Sequence, residues 1–399
     1  MDSAELIALE YARGAHNYHP LPVVVARASG SWLTDVEGKR YLDFLSAYSA
    51  LNFGHGYPRL LDAAKRQLDR VTLTSRAVHS DQLGPFCEEL ADLVNLDRVL
   101  PMNSGAEAVE TAIKTARAWG YRTKGVPAEQ ATIIVAAGNF HGRTTTIVSF
   151  SEDPVARSDF GPFTPGFVAV EYGNADALEA ALANPTVVGF LVEPIQGEAG
   201  VVVPPDGYLS AAAALCRANN VLFIADEIQS GLGRTGKTLA CDWESVVPDV
   251  VLLGKALGGG ILPLSAVVSR DEVLGVLKPG EHGSTFGGNP LAVAVGREAI
   301  AILAEGQIQR ESLRLGEHMF ARLRAEAPDT VQEIRGRGLW AGVELTGAAG
   351  PARPRCEQAL AMGVVIKETH STTLRLAPPL VISDDDLNRG IDVVLEVLQ

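Results

Sequence analysis

VLFIADEIQSGLGRTGKTLACDWESVVPDVVLLGKALGGG, residues 221–260, carries two short, almost wholly apolar runs, VLFIADEI (221–228) and DVVLLGKA (249–256), each closing on charged residues. A run that is apolar at consecutive positions suits a parallel strand, because helices bury both of its faces. TIIVAAG (132–138), VVGFLVEPI (187–195) and LSAVVS (264–269) have the same character. Helix-period segments lie between them, such as GAEAVETAIKTARAWG (105–120), with Val109, Ala112, Ile113 and Ala116 on one face, and LSAAAALCRANN (209–220). This alternation predicts an α/β fold with a mostly parallel sheet covered by helices.

Outward from that centre the pattern changes. SWLTDVEGKRYLDF (31–44) mixes polar and apolar residues around Glu37-Gly38-Lys39 and reads as a small hairpin outside the main core. After about residue 290 come further helices, a strand-like LWAGVEL and the tail TLRLAPPLVISDDDLNRGIDVVLEVL, which together suggest a smaller α+β domain. With 399 residues the chain is long enough for two domains. The expected division is 1–50 as an N-terminal segment packing with the small domain, 51–288 as the large domain, and 289–399 as the small domain.

Composition narrows the function. A net charge of −14 with 34 Lys+Arg disfavours a general grip on nucleic acid or anionic membrane, since phosphate binding needs surplus positive charge. No run of 18 apolar residues occurs, and the start MDSAELIALEYARG is acidic and helical in pattern, which points to a cytoplasmic protein. Cys87, Cys216, Cys241 and Cys356 are widely spaced without a CxxC pair, so reduced core thiols are expected and no metal is indicated.

Ligands of open α/β sheets bind beyond the carboxyl ends of the strands. Three runs end there on ionisable groups: Glu193, Asp226 with Glu227, and Lys255. A lysine at a strand end commonly snorkels or pairs with a carboxylate. Desolvated, it becomes a nucleophilic amine able to form a Schiff base with an aldehyde cofactor, and Gly258-Gly259-Gly260 would let a ligand approach the backbone. Asp226 could cap a helix, or could face a pyridine nitrogen and keep it protonated. In MNSGAEAVETA, Ser104 and Glu107 form a capping box, and the helix opening at Gly105 and Ala106 offers oriented N–H groups to a phosphate.

GLGRTGKT (231–238) also fits the nucleotide-binding pattern G-x-x-x-x-G-K-[ST], and Gly231, Gly233 and Gly236 fit G-x-G-x-x-G. Its context is wrong. A substantial helix should follow, whereas TLACDWESVV has weak helical periodicity, and Asp226-Glu227 ends the strand before the loop rather than a later one. A P-loop hydrolase is the alternative from a different class of function.

VLFIADEIQSGLGRTG, VVLLGKALGGG, EHGSTFGGNPLA, NSGAEAVE, NFHGRT and VEPIQGEAG resemble the class III aminotransferases of pyridoxal-phosphate fold type I, the aspartate aminotransferase-like fold. The likeness covers nearly the whole chain. GAHNYHPLPVV, DFLSAYSALNFGHGYP and LRLAPPLVI are similar to the branch of that family that acts on ornithine.

The resemblance implies that Lys255 binds pyridoxal 5'-phosphate covalently and shuttles a proton. Asp226 would pair with the pyridine nitrogen, Gln229 would lie near the ring hydroxyl and Phe140 would stack on the ring. Gly105 and Ala106 would hold the phosphate, with Thr285 of the partner subunit reaching it in a homodimer. Tyr18 and Arg143 would take the α-amino and α-carboxylate ends of L-ornithine, with Tyr48 lining the same pocket. Arg375 would bind the α-carboxylate of 2-oxoglutarate and pair with Glu198 while ornithine is bound. At His141 the chain departs from the animal enzymes, which carry tryptophan there, and resembles bacterial and acetylornithine relatives. That residue does not decide substrate, for which Tyr48 carries more weight; acetylornithine or another ω-amino acid is the alternative substrate.

Overall fold

The computed structural model describes residues Met1–Gln399. A seven-stranded sheet lies at its centre, in the order Arg98–Met102, Ser265–Ser269, Val250–Leu253, Leu222–Asp226, Val187–Val192, Thr132–Ala136 and Phe167–Val170. The five strands from Val250–Leu253 to Phe167–Val170 pair in parallel. Successive residues of these strands enter different cores. Phe223, Ala225, Val251 and Leu253 join one buried cluster, while Leu222, Ile224, Val250 and Leu252 join a second one built around the helix Gly105–Trp119. Burial on both faces is why their sequences are apolar without alternation.

The run LSAVVS departs from the expectation. Ser265–Ser269 is antiparallel to both of its neighbours. Only residues 254–264 separate it from Val250–Leu253, too short a connection for the crossover that a parallel neighbour requires.

A second sheet joins Val25–Ser29, Trp32–Asp35 and Arg40–Asp43 to Val364–Val365, which pairs in parallel with the third of these. The 31–44 hairpin is therefore not outside the core. Leu33, Tyr41, Leu42 and Phe44 belong to the same 71-residue buried cluster as the central sheet, because the distant Val364–Val365 strand covers an edge that the local sequence leaves open. The third sheet, Val331–Gly336, Ala341–Leu345, Thr373–Leu376 and Lys367–Thr369, is wholly antiparallel and brings Arg375 towards the carboxyl edge of the central sheet. No helix is long and apolar enough to cross a membrane.

Candidate active site

Each anchor of the site stands where a strand gives way to a turn. Leu222–Asp226 delivers Asp226, and the neighbouring Val250–Leu253 delivers Lys255 after a single glycine. Lys255 has φ +44°, in the left-handed region that a side chain enters only when its surroundings enforce it. Opposite them the helix Gly105–Trp119 begins with the expected capping box between Ser104 and Glu107.

These ends enclose a cavity of about 150 Å³ lined by Lys255, Asp226, Gln229, Gly105, Ala106 and Phe140, together with His141 and Glu193. All the expected cofactor residues of this chain converge there except Thr285, which is exposed on the 281–289 loop.

Removal from solvent, aided by the charge of Arg375, holds the Lys255 amine below its ordinary pKa, while Glu198, Asp226 and Glu193 pull the other way. No carboxylate forms an ion pair with it, so the nitrogen is left available to react. Asp226 is bonded on both oxygens, to the Ile228 N–H at 3.1 Å and to His141 Nδ1 at 2.6 Å. Burial alone would depress the His141 pKa, but the hydrogen bond and charge of Asp226, with Glu193 behind it, raise it. His141 Nε2 is buried without a partner. Burial also pushes Glu193 up to about 7, opposed by the His141 charge and reinforced by Asp226. Its carboxylate accepts the Phe140 N–H at 2.9 Å and the Gly197 N–H at 3.3 Å, which fixes the backbone that presents Phe140.

Sequence reasoning singled out Glu193 but not this task, and treated His141 only as a departure from a pattern. The available signal was a histidine beside Phe140 in a glycine-flanked turn.

A wider cavity of about 530 Å³ adjoins this one, lined by Phe140, Arg143, Glu198, Thr369 and His370 among others. Arg375 is not the solvated strand arginine that alternation allows. Its strand is buried on both sides, and the side chain is 1% exposed. Arg375 Nη1 donates to Glu198 Oε1 at 2.5 Å, and the guanidinium carbon lies 4.5 Å from the centre of the Tyr48 ring. Burial would raise the Glu198 pKa, but Arg375 and Lys255 hold it below the usual carboxylate range. Gln229 Nε2 donates to Glu198 Oε1 and to the Tyr48 carbonyl, both at 3.3 Å. A Cβ at Gly197 would lie 1.5 Å from Gln229 Oε1, so a larger residue there would displace the Gln229 side chain from this arrangement.

Tyr48 stands on unusual backbone. Ser46, Ala47, Tyr48 and Ser49 have φ between +48°, +46°, +62° and +70° in turn, a left-handed turn without a glycine. Each such residue costs roughly 1–2 kcal/mol. Asp43 secures its entrance by accepting the N–H groups of Leu45 and Ser46 at 2.9 and 2.8 Å.

Arg143 stands at the cavity mouth, 54% exposed, with an ion pair to Asp153 at 3.6 Å and its guanidinium 5.2 Å from the Phe140 ring centre. Tyr18 is 75% exposed and lines neither cavity.

The nucleotide-binding pattern finds no support. GLGRTGKT runs into a short 3₁₀ turn, Ala240–Glu244, and Lys237 lies over the Trp243 ring at 5.6 Å rather than facing the cavity.

The residues present fit pyridoxal phosphate: a desolvated amine, a buried carboxylate, a capped helix start and an unpartnered imidazole nitrogen meet in one small cavity. Residues 13–398 match the family model described as aminotransferase class-III, and the chain belongs to that family of pyridoxal-phosphate-dependent enzymes. The ornithine aminotransferase of Brevibacillus brevis is 54% identical over 385 residues, 96% of each chain. The crystal structure of the ornithine aminotransferase from Toxoplasma gondii ME49 superposes with a TM-score of 0.98 at 43% identity, covering 100% of this chain and 95% of that one. The acetylornithine aminotransferase from Elizabethkingia anophelis gives a TM-score of 0.90 at 46% identity, over 100% of this chain and 99% of its own.

Proposed function

We propose that this enzyme transfers the δ-amino group of L-ornithine to 2-oxoglutarate, giving glutamate 5-semialdehyde, which cyclises to pyrroline-5-carboxylate, and L-glutamate. The observation that carries this reading is the Arg375–Glu198 pair, buried against Tyr48, with Glu198 lining the wider cavity that adjoins the Lys255 cavity and feeling the charge of Lys255. An arginine that a neighbouring carboxylate can mask or release lets one pocket accept an amine end in one half-reaction and a second carboxylate in the other.

Pyridoxal phosphate, when bound, supplies an aldehyde that exchanges amines and a ring that accepts the electrons of a cleaved C–H bond. Lys255 would hold it covalently, Gly105 and Ala106 would offer N–H groups to its phosphate, Phe140 would stack on its ring, Gln229 would lie near its hydroxyl and Asp226 would face its nitrogen. His141, hydrogen-bonded to Asp226, keeps that carboxylate turned inward. The depressed pKa of Lys255 favours its neutral amine, which would serve as the base for the Cδ proton of ornithine. Tyr18 and Arg143 take the α-amino and α-carboxylate groups, which leaves the δ-amine facing Lys255. When 2-oxoglutarate enters, Glu198 swings off and Arg375 takes its α-carboxylate, completing a ping-pong cycle.

A homodimer suits the exposed elements. Tyr18, Thr285 and Phe286 all lie uncovered on one chain, and in a homodimer Thr285 would reach the phosphate held by the partner subunit. Four free cysteines, none paired, suit the reducing cytoplasm.

The likeness to an acetylornithine aminotransferase supports a second reading, with N-acetylornithine as donor. Steady-state turnover of ornithine, N-acetylornithine and 4-aminobutyrate by the purified holoenzyme decides between them. Ornithine should be preferred, and Tyr48→Ile should lose that preference. A higher kcat/KM for N-acetylornithine in the parent enzyme overturns the ornithine assignment.

A further inference from the structure

The loop GLGRTGKT, whose spacing mimics a phosphate cradle, carries the second of two entirely buried arginines, Arg234. No carboxylate touches it. Burial pushes its pKa down to about 9, with only the charge of Asp43 acting against that. Its donors go to three separate segments. Nε and Nη2 donate to Asn52 Oδ1 at 3.1 and 2.7 Å, and Nη1 donates to the carbonyls of Leu339 at 3.0 Å and Pro378 at 2.7 Å.

Asn52 extends the junction, since its Nδ2 donates to the Leu232 carbonyl at 3.0 Å and its own carbonyl accepts the Leu380 N–H at 2.9 Å. Ser312 Oγ closes it from the far side, donating to the Arg234 carbonyl at 2.9 Å and accepting the Leu339 N–H at 3.2 Å. The loop and the 335–340 segment touch backbone to backbone: a Cβ on Gly338 would lie 2.4 Å from the Thr235 carbonyl carbon.

The positions of these contacts point to a task. Asn52 is four residues beyond Tyr48, Pro378 three beyond Arg375, and Leu232 three beyond Gln229. Two of the segments held by Arg234, at Asn52 and Pro378, and the loop that carries Arg234 itself have just passed the pocket residues, while the third, at Leu339, ties them to the small domain's sheet. An unpaired buried charge is unfavourable as packing, whereas a rigid planar fork is what can hold three chain segments at fixed spacing. The left-handed turn at 46–49 needs a constraint on both sides to persist. Asp43 supplies the first and Asn52, held by Arg234, the second.

We propose that Arg234 is a positioning residue, and that by joining these segments it sets the spacing of Tyr48, Gln229 and Arg375 and so the fit of both substrates. The inference rests on the assignment of Tyr48 and Arg375 to the substrate pocket.

The test uses Arg234→Lys and Asn52→Ala holoenzymes in rapid-mixing half-reactions followed by cofactor absorbance. One arm titrates the amino donor that the parent enzyme turns over best, the other 2-oxoglutarate. A residue that only supports folding lowers the active fraction and leaves half-saturation unchanged. A displaced pocket wall raises half-saturation for both substrates, by about tenfold or more. Cofactor-loaded Arg234→Lys with both values within twofold of the parent overturns the inference. If that variant does not fold, Asn52→Ala is judged by the same criterion. Arg375→Ala separates the two levels of argument. If it leaves 2-oxoglutarate half-saturation unchanged, the pocket assignment fails, whereas a large rise there with unchanged Arg234 and Asn52 variants defeats only the role of Arg234.

Discussion

On the floor of the cavity, Asp226, His141 and Glu193 are each more than nine-tenths buried and bonded to one another or to nearby backbone. At its rim Arg143 is more than half exposed, Tyr48 rests on a left-handed turn, and Arg375 is held by a single carboxylate from another loop. The floor is built by adjacent strand ends of one sheet, so its geometry follows from the sheet itself. The rim is assembled from three sheets and several loops, and it holds groups that must change partners. Preorganisation suits chemistry that is the same in both half-reactions. A pairing that can open suits a pocket that must accept two different molecules.

Substitutions on the floor should therefore abolish turnover, while those at the rim should redistribute specificity. Lys255→Ala is expected to lower turnover by about 10⁴-fold, with borohydride no longer fixing the cofactor to the protein. Single-turnover kinetics and mass measurement check this, and activity within tenfold of the parent would break the distinction between floor and rim.

Asp226→Asn should cost on the order of 10²–10³ in kcat, since the group facing the ring nitrogen loses its charge. The same change removes both contributions of Asp226 that raise the His141 pKa, so the imidazole should titrate lower by NMR. An unchanged imidazole titration would detach His141 from the floor.

Glu198→Ala frees Arg375 permanently. Half-saturation for 2-oxoglutarate should fall and glutamate should compete better as donor, a shift of about tenfold, or 1.4 kcal/mol, in relative kcat/KM. A uniform loss of both half-reactions would instead place Glu198 with the floor.

The smallest expected effect is on stability. The folded pKa of His141 is raised above its ordinary 6.5, so the Asp226–His141 pair stabilises fully below that pH and is lost as pH rises through the raised value. Glu193, held at about 7, acts in the same direction, because its ionised form is the one that burial disfavours. Melting temperature should therefore decline with rising pH in the parent and decline less in His141→Asn, a difference on the order of 2 °C. Parallel curves for the two proteins would remove His141 from this linkage.

The floor was largely legible in the sequence, because strand periodicity locates strand ends and the chemistry lies at those ends. Lys255, Asp226 and the Gly105–Ala106 helix start meet as their positions in the runs require. The rim was legible only through resemblance, which also implied the Arg375–Glu198 pair, whereas the full burial of Arg375 and its stacking on Tyr48 were not legible. Alternation fixes which face of a strand a side chain takes but not what covers that face, and here Glu198 and Tyr48 cover it.

By itself, then, the sequence determined the elements and the polarity of their ends. Apolar runs fixed the strands, the capping box fixed the start of the helix, and Lys255 and Asp226 were committed to one sheet edge by local covalent order. Tertiary structure alone decided relations between residues far apart in the chain: the antiparallel setting of Ser265–Ser269, the burial of the 31–44 hairpin under Val364–Val365, the stacking of buried Arg375 on Tyr48, and the conversion of GLGRTGKT from an apparent phosphate loop into the seat of Arg234. The physical reason is the same in each case. Propensity and periodicity act over a few residues, whereas a buried charge or an uncovered strand edge is satisfied only by a partner that the completed fold brings to it.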